Sequence, residues 1–273
     1  MKISVIIPTY KPQDYLWECL GSLVEQTLPK KDFEVILVLN GNLEPYKSTI
    51  DKYIAEKMLG INVNFIHTEV GGVSNARNLA LDQAKGDFIT FLDDDDYLSR
   101  DCLREMLSLQ NGDVIVECYP YAFEDGDLFV KQQDYHLTRT YEYCIKHNCK
   151  TLNSTARKFF SGACMKLIPS SYIKGRRFDT RFRNGEDCLF MFSISDKIQN
   201  IVYTSRNGVY YRRYRKGSIT KTPLSKREWF GILVKRMGIY TSFYTKGGYS
   251  TYFYASRIMA EIINLVNVLF NLV

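Results

Sequence analysis

Short apolar segments of strand length alternate with helical segments over the first 118 residues, and this alternation limits the fold more than any other feature. The segments 3–8 and 33–39 are apolar at almost every position, as expected of strands that are covered on both faces. Between them, Leu16, Leu20 and Leu23 recur at helical spacing. Strands that alternate with helices predict an α/β fold, with a mostly parallel sheet flanked by helices.

The pattern loosens after residue 118. Residues 119–160 are polar and aromatic without a steady period, so the pattern assigns no secondary structure to them. A strand over 164–168, a helix over about 186–198 and a strand over 208–213 are predicted to follow. The length suits one large domain with an appended segment.

Composition places the chain among ordinary soluble proteins, because 45% of its 273 residues are hydrophobic and 24% are charged. The seven cysteines follow no framework spacing, so we expect reduced thiols in the cytoplasm. The first residues, MKISVIIPTYKP, show no apolar stretch followed by a cleavage site, so we expect no secretion signal.

Four consecutive acids, Asp93 to Asp96, directly follow an apolar strand in the segment FLDDDDYL. Neighbouring carboxylates repel each other, more strongly where protein displaces water, so something positive should lie beside them. Ligands of parallel sheets bind at the carboxyl ends of the strands, where this run falls. If the extended backbone continued, Asp93 and Asp95 would share a side and could face one Mg²⁺ or Mn²⁺ ion.

Two other interpretations of the acidic run were weighed. A calcium-binding EF-hand loop is excluded, because Leu98 and Arg104 stand where that loop needs glycine and glutamate. The acids could instead cap the helix predicted from about Ser99, and we expect this of Asp96.

The segment GGVSNARN at 71–78 predicts a second, positive feature of the site. It combines a glycine pair, Ser74 as the expected N-cap of a helix, and Arg77 one turn further on. Free N–H groups at a helix start bind phosphate well. The phosphate-loop and dinucleotide-binding fingerprints are both absent from the sequence.

Four segments together resemble family 2 glycosyltransferases of the GT-A fold. In chain order they are VIIPTY (5–10), FEVILVLNG (33–41), GGVSNARNLALDQAKGDFITFLDDDD (71–96) and NGEDCLF (184–190). The resemblance implies a Rossmann-like sheet and an inverting, Mn²⁺- or Mg²⁺-dependent enzyme of the bacterial surface-polysaccharide type. Such an enzyme would move a sugar from a nucleotide-sugar donor to a hydroxyl of a glycan acceptor.

The resemblance also implies a division of the chain. Residues 1–220 would form the GT-A domain, with 1–118 as its nucleotide-binding half and 119–220 as its acceptor-binding half. Residues 221–273 would form a helical, basic and aromatic extension.

Each matching position takes a role from the resemblance. Asp187 would be the catalytic base and Glu186 would orient the acceptor. Asp95 would be the direct metal ligand, with Asp93 near the metal or the ribose. The implied nucleotide-sugar-binding residues are Thr9, Tyr10, Asn40, Arg77, Asp93, Asp94 and Arg213.

One position departs from the family pattern. Many relatives carry two acids after the second strand, where this chain has Leu39 and Asn40. An amide can still bond a pyrimidine edge, so a UDP-sugar is expected, while thymidine or guanosine donors stay open.

The C-terminal region is basic, aromatic and finally apolar. Residues 206–257 hold 12 of the 36 Lys and Arg residues and a single acid. The segment 258–273 is too short and too rich in Asn for an obvious spanning helix. It predicts an amphipathic helix on the cytoplasmic face of the membrane, near a lipid-linked acceptor. Such a surface gives the apolar ending a purpose that nucleic-acid binding does not, while a packed subdomain or a homodimer contact stays open.

Other classes of function were considered. A sugar-phosphate nucleotidyltransferase shares the sheet and the metal, but we find no early glycine-rich loop with Arg and Lys. A catalytically inactive binding module is disfavoured by the intact Asp95 and Asp187. A zinc site is not expected, since the spacing of its candidates fits no standard finger. These candidates are Cys144, His147, Cys149 and His136, while His67 is expected to be structural.

Overall fold

The computed structural model describes residues 1–126, 134–215 and 225–270 of the chain. Its strands are β1 (Ile3–Thr9), β2 (Phe33–Asn40), β3 (Asn62–Thr68), β4 (Phe88–Phe91), β5 (Tyr97–Leu98), β6 (Val114–Glu117), β7 (Tyr119–Glu124), β8 (Lys166–Pro169), β9 (Asn200–Tyr203) and β10 (Val209–Tyr214). Its α-helices are α1 (Tyr15–Val24), α2 (Tyr46–Lys57), α3 (Val73–Gln83), α4 (Cys102–Ser108), α5 (His136–Lys146), α6 (Ser170–Ile173), α7 (Glu186–Ser193), α8 (Lys226–Tyr244) and α9 (Thr251–Phe270). Short 3₁₀ segments lie at Lys30–Asp32 and Ala156–Ser161.

Seven strands form the main sheet, in the order β3-β2-β1-β4-β8-β6-β9. The first four are parallel to one another, β8 runs antiparallel to both of its neighbours, and β9 is parallel to β6. Together with the flanking helices, this order confirms the predicted α/β fold with a mostly parallel sheet.

The centre of the sheet explains why the site forms where it does. All residues of β1 and β2 are buried, as their apolar sequences require. Since β1 pairs in parallel with both β2 and β4, the three strands end at one edge of the sheet. Thr9, Asn40 and the acidic run after β4 therefore meet there.

A second sheet of three strands, in the order β5-β10-β7, continues from the acidic run. Tyr97 on β5 stacks on its cross-strand partner Tyr211 on β10, with 4.6 Å between ring centroids. This pairing carries β10 back past the acids. It brings Arg213 and Arg215 beside the end of β4, although about 120 residues separate them from it in the chain.

Two predicted helix caps are wrong. Helix α3 begins at Val73, with Gly72 as its N-cap at φ +114°, and Ser74 is already inside the helix, with a buried Oγ that no described group bonds. Helix α4 begins at Cys102 after Asp101, whereas Asp96 bonds elsewhere, as described below. The interval 119–160, where no element was predicted, contains β7 and α5 among its described residues.

A buried lysine fixes the loop that lies opposite α7. The ammonium group of Lys166 donates to the carbonyl oxygens of Phe159, Gly162 and Cys164 at 3.1, 2.9 and 2.7 Å. It also lies 3.7 Å from the carboxylate of Glu117, and both side chains are at most 1% exposed. The loop is therefore held by charge-assisted bonds from a single buried ammonium group.

Helices α8 and α9 pack against each other as an antiparallel pair, which we call the C-terminal hairpin. Helix α8 begins with a capping box in which Ser225 and Glu228 each bond the other's backbone N–H. Lys226, at the start of α8, reaches the carbonyl oxygen of Leu269, near the end of α9.

Helix α9 buries two charged residues and exposes most of its large apolar residues. Its buried residues are Phe253, Arg257 and Glu261. Its exposed large apolar residues are Tyr252, Met259, Ile262, Ile263, Val266, Leu269 and Phe270. Within the described chain, α9 is the one helix long and apolar enough to cross a membrane by length and composition, and 17% of its most apolar window is buried. Residues 271–273 of the predicted surface helix lie outside the described residues.

Candidate active site

The acidic run forms a turn, and each of its four carboxylates has a different partner. The N–H of Asp96 donates to the carbonyl oxygen of Asp93 at 3.1 Å, so the extended backbone assumed from the sequence does not continue past β4. Within the turn, the four carboxylates bond Arg77, Thr9, Arg215 and the Tyr210 hydroxyl respectively.

Arg77 connects the acidic run to helix α7. Its Nη2 donates to Asp93 Oδ1 at 2.9 Å and its Nη1 donates to Asp187 Oδ1 at 2.7 Å. The Arg77 side chain is 4% exposed, and its guanidinium carbon lies 5.2 Å from the ring centroid of Phe178. Burial alone would lower the pKa of Arg77, but the charges of Asp187 and Asp93 outweigh it and raise that pKa. Arg77 therefore stays charged and holds both acids near one another.

Arg215 neutralises Asp95. Its Nε donates to Asp95 Oδ2 at 2.5 Å, while its guanidinium lies 4.3 Å from the ring centroid of Tyr15. Burial and the charge of Asp93 raise the pKa of Asp95, and Arg215 opposes them. Asp93 and Asp95, the two carboxylates implied for the metal site, lie two residues apart in the acidic turn.

The other two acids accept hydrogen bonds from buried donors. Thr9 Oγ1 donates to Asp94 Oδ2 at 2.5 Å, and burial raises the pKa of Asp94 to about 7. Asp96 accepts from the Tyr210 hydroxyl at 2.7 Å and from the N–H of Arg213 at 2.8 Å. Burial, followed by the neighbouring acids, raises the pKa of Asp96 well above its usual range. Asp94 thus ties the acidic turn to β1, and Asp96 ties it to β10.

The first turn of α7 carries the Glu-Asp pair. Asp187 is 24% exposed, and its Oδ2 lies 4.0 Å from where a Cβ on Gly162 would be, so the absence of a side chain there leaves room beside the carboxylate. Glu186 is buried, and its Oε2 has no partner among the described residues. Burial and the charge of Asp187 raise the pKa of Glu186 to about 7.

Tyr10 and Asn40 stand at the ends of β1 and β2. The Tyr10 ring is 45% exposed and packs over Gly41, where an added Cβ would lie 2.8 Å from the ring. The amide of Asn40 donates to the carbonyl oxygen of Thr9 at 2.7 Å and accepts from the N–H of Gly72 at 3.2 Å. Asn40 therefore joins the end of β1 to the glycine pair before α3.

Arg213, which the resemblance implies as a nucleotide-sugar-binding residue, is bonded by groups of the protein itself. Its Nε donates to the carbonyl oxygen of Asp95 at 2.9 Å. Its terminal nitrogens pair with Glu18 at 2.5 Å and with Asp125 at 2.8 Å. Sequence reasoning missed Arg215, which reaches the Asp95 carboxylate. Arg215 directly follows the last residue of β10, and the sequence pattern does not show whether Arg213 or Arg215 meets Asp95.

The remaining histidines and cysteines are engaged locally. His67 Nε2 lies 2.8 Å from the carbonyl oxygen of Gly41, and His147 Nδ1 lies 2.9 Å from that of Tyr143. Throughout residues 1–126, 134–215 and 225–270, no group of three or more His, Cys, Asp and Glu side chains could hold a metal ion by itself.

The donor set nevertheless fits a divalent ion bound together with a substrate. Mg²⁺ and Mn²⁺ are commonly held by one or two carboxylates, with water and substrate phosphates supplying the other ligands. Asp95 and Asp93 provide that number of carboxylates, and their electrostatic interaction is the kind that a cation relieves.

Comparison with known proteins agrees with this architecture. The mostly parallel sheet, with an acidic turn at its carboxyl edge and a Glu-Asp helix beside it, defines a glycosyltransferase of the GT-A fold. The family model for glycosyl transferase family 2 matches residues 4–170. This chain belongs to that family.

Similar proteins include the poly(ribitol-phosphate) beta-N-acetylglucosaminyltransferase TarS of Staphylococcus aureus. The two sequences are 39% identical over 237 residues, which are 85% of this chain and 39% of TarS. The structure of TarS in complex with UDP-GlcNAc superposes with a TM-score of 0.75 at 21% identity and covers 99% of this chain and 73% of that one. The mannosyltransferase PcManGT of Pyrobaculum calidifontis, in complex with GDP-Man and Mn²⁺, superposes with a TM-score of 0.64 at 17% identity, over 97% of this chain and 69% of that one. The chain thus spans about two fifths of the length of its curated relative TarS.

Proposed function

We propose that this chain is an inverting, metal-dependent glycosyltransferase that moves a sugar from a UDP-sugar to a hydroxyl of a surface-polymer acceptor. The observation that supports this most is the Arg77 bridge, because one buried guanidinium bonds both Asp93 and Asp187. A carboxylate on the donor side and a candidate base therefore lie within the span of a single side chain. The similarity to TarS, whose solved complex contains UDP-GlcNAc, favours a UDP-sugar donor.

In this proposal Asp187 removes the proton of the acceptor hydroxyl as its oxygen attacks the anomeric carbon. One Asp187 oxygen accepts from Arg77, which fixes the carboxylate, and Oδ2 remains for the acceptor beside Gly162. Attack on the face opposite to the nucleotide inverts the configuration. Glu186 lies next to the base and orients the acceptor.

The donor end of the site is built from the strand ends. Tyr10 offers an exposed ring to the nucleobase of the donor. Asn40 and Gly72 are bonded to each other beside it, and the hydrogen bond between Thr9 and Asp94 supports the acidic turn. Asp95 and Asp93 would hold a divalent ion, which would supply positive charge to the departing diphosphate. Arg215 adds a second positive charge at this place.

We expect Asp95→Asn to abolish the Mn²⁺-dependent part of UDP binding, because an amide replaces the charged ligand. Isothermal titration calorimetry of UDP with and without Mn²⁺ measures this. Asp82→Asn is the matched control, since Asp82 pairs with Arg177 on the surface, and it should bind like the unaltered protein. Unchanged Mn²⁺-dependent affinity in Asp95→Asn would remove Asp95 from the metal site.

Assays of the reaction products distinguish the proposed glycosyltransferase from a nucleotidyltransferase and from a binding module. UDP release from a panel of UDP-sugars, stimulated by Mn²⁺ and increased by a polyol-phosphate acceptor, is the expected result. Pyrophosphate formation from a nucleoside triphosphate and a sugar phosphate would indicate a nucleotidyltransferase. Donor binding without turnover of any sugar would indicate a binding module.

The exposed side of α9 supports a position on the inner face of the cell membrane, where a lipid-linked acceptor would be presented. Lys226, Arg227 and Lys235 are exposed on α8 of the same hairpin, so apolar and basic side chains occur together, as at an anionic bilayer surface. A dimer formed through this side is the competing occupant.

We expect Ile263→Glu to weaken binding to vesicles that contain phosphatidylglycerol by about tenfold or more, because it replaces an exposed apolar side chain that would enter the bilayer surface with a charge of the same sign as the lipid. Vesicle co-sedimentation measures the change. Asn264→Glu adds the same charge at a neighbouring position of α9 that already carries a polar side chain, and it is the matched control. Equal binding by both variants would contradict the membrane surface, and a concentration-dependent dimer lost in Ile263→Glu would support the competing occupant.

A further inference from the structure

The C-terminal hairpin contacts the residue directly before α7, the helix that carries the candidate base. Gly185 is the N-cap of α7 and adopts φ +80°. The Arg236 guanidinium of α8 lies so close to it that a Cβ on Gly185 would collide with the guanidinium carbon and both terminal nitrogens. A flat, charged group therefore packs directly against the backbone that precedes Glu186 and Asp187.

Arg236 is itself fixed by a buried acid from α9. Its Nη2 lies 2.5 Å from Glu261 Oε1, and the two side chains are 9% and 2% exposed. Arg236 Nε and Glu261 Oε2 have no hydrogen-bond partner within the described residues. Since an incompletely satisfied buried ion pair contributes little net stability, stability alone is a poor explanation for it.

A second arginine of the hairpin holds the loop on the other side of the base. Arg257 donates to the carbonyl oxygen of Phe160 at 2.5 Å and to Ser161 Oγ at 3.2 Å. Gly162, the next residue, is the one that faces Asp187 Oδ2. The hairpin therefore contacts both the start of α7 and the loop opposite the candidate base.

The rest of α7 is attached to the hairpin without Arg236. Phe192 packs against the rings of Tyr240, Tyr249 and Phe253, with centroid distances of 5.0, 5.2 and 5.4 Å. This aromatic cluster holds the C-terminal half of α7. Removing the Arg236 guanidinium should therefore free the first turn while leaving the helix docked.

We propose that Arg236 is a positioning residue, which holds the first turn of α7 so that Asp187 meets the acceptor hydroxyl in a reactive orientation. The inference rests on the proposed role of Asp187 as base. Small displacements of a catalytic group are costly: a shift of about 1 Å can reduce the rate by about 100-fold. The residue acts through backbone and touches neither donor nor acceptor.

The test compares Arg236→Gln and Arg236→Lys with the unaltered chain in steady-state transfer and in UDP calorimetry. Lysine can keep the ion pair with Glu261, but it lacks the planar face that packs on Gly185. We expect kcat to fall about 10- to 100-fold in both variants, with the UDP dissociation constant changed less than threefold. A purely structural ion pair predicts instead that lysine restores kcat.

Arg176→Gln is the matched control. Arg176 also forms a partly buried ion pair, with Asp196, and bonds the Tyr249 hydroxyl of the hairpin, but it does not touch Gly185. Its kcat should stay within twofold of the original. A similar loss in Arg176→Gln and Arg236→Gln would overturn the inference.

A second route avoids dependence on the ion pair. Gly185→Ala keeps Arg236 and Glu261, but it displaces the guanidinium and strains the left-handed N-cap backbone at φ +80°, so it should lower kcat with the UDP affinity retained. Full kcat in Gly185→Ala overturns the inference, as full kcat in Arg236→Lys does. Asp187→Asn, assayed in parallel, separates the two claims, because a fully active Asp187→Asn defeats the proposed base, whereas an inactive one beside fully active Arg236 variants defeats only the positioning role.

Discussion

Asp187→Asn should bind UDP as tightly as the unaltered chain and transfer sugar about 10²- to 10⁴-fold more slowly, the usual range for loss of a positioned general base. Asparagine has the same shape, and its oxygen can still accept from Arg77, so the bridge to Asp93 survives. What is lost is the ability to take a proton. Calorimetry with UDP and single-turnover transfer measure the two effects separately.

The control for this variant is Asp179→Asn, which removes a carboxylate from the ion pair with Arg181 before α7. It should retain full activity. If Asp187→Asn also transfers sugar at the normal rate, another group is the base, and Glu186 would be the next candidate because it shares the first turn of α7.

Arg77→Met should lower the free energy of unfolding by about 3 kcal/mol and the melting temperature by about 6–12 °C, and should abolish transfer. The variant leaves Asp93 and Asp187 without the cation that they share. The estimate is at the lower end for breaking a buried ion pair, because these carboxylates are 41% and 24% exposed. Chemical denaturation followed by circular dichroism measures the stability change.

Arg177→Met is the matched control for Arg77→Met. Arg177 pairs with Asp82 at the surface, with both side chains over 40% exposed, so its loss should cost less than about 1 kcal/mol. Equal stability of the two variants would mean that the Arg77 bridge contributes little to the fold.

The four adjacent acids are tolerated for a reason that differs in part from the one expected. The sequence indicated a positive neighbour, and the expected neighbour was a divalent ion between Asp93 and Asp95. In the described structure, Arg77 and Arg215 already pair with these two acids. A metal bound with substrate would therefore join an existing balance of charge, and Arg215 is the group whose contact with Asp95 would change.

Local patterns predicted the elements that are buried on both faces. The apolar runs at 3–8 and 33–39 became β1 and β2 within one residue, because such runs cannot be left in water. The Glu-Asp pair was predicted at the start of a helix, and α7 begins at Glu186. These features depend on neighbours in sequence.

Contacts between distant segments could not be predicted in the same way. Arg215 meets Asp95 across 120 positions, and Arg236 reaches Gly185 from a helix that follows the sheets. Local propensity also misplaced the cap of α3, where serine was favoured by type but Gly72 was required by its positive φ. Partner choice among several arginines depends on tertiary packing.

Helix α9 reverses the distribution of polar and apolar residues that is usual on a soluble domain. Its charged residues Arg257 and Glu261 are buried, and most of its large apolar residues are exposed. Polar substitutions of the exposed apolar residues should therefore increase the solubility of the protein and leave its transfer activity unchanged. Replacing Glu261 by an apolar residue of similar size would instead destabilise the protein, because the buried Arg236 guanidinium would lose its partner.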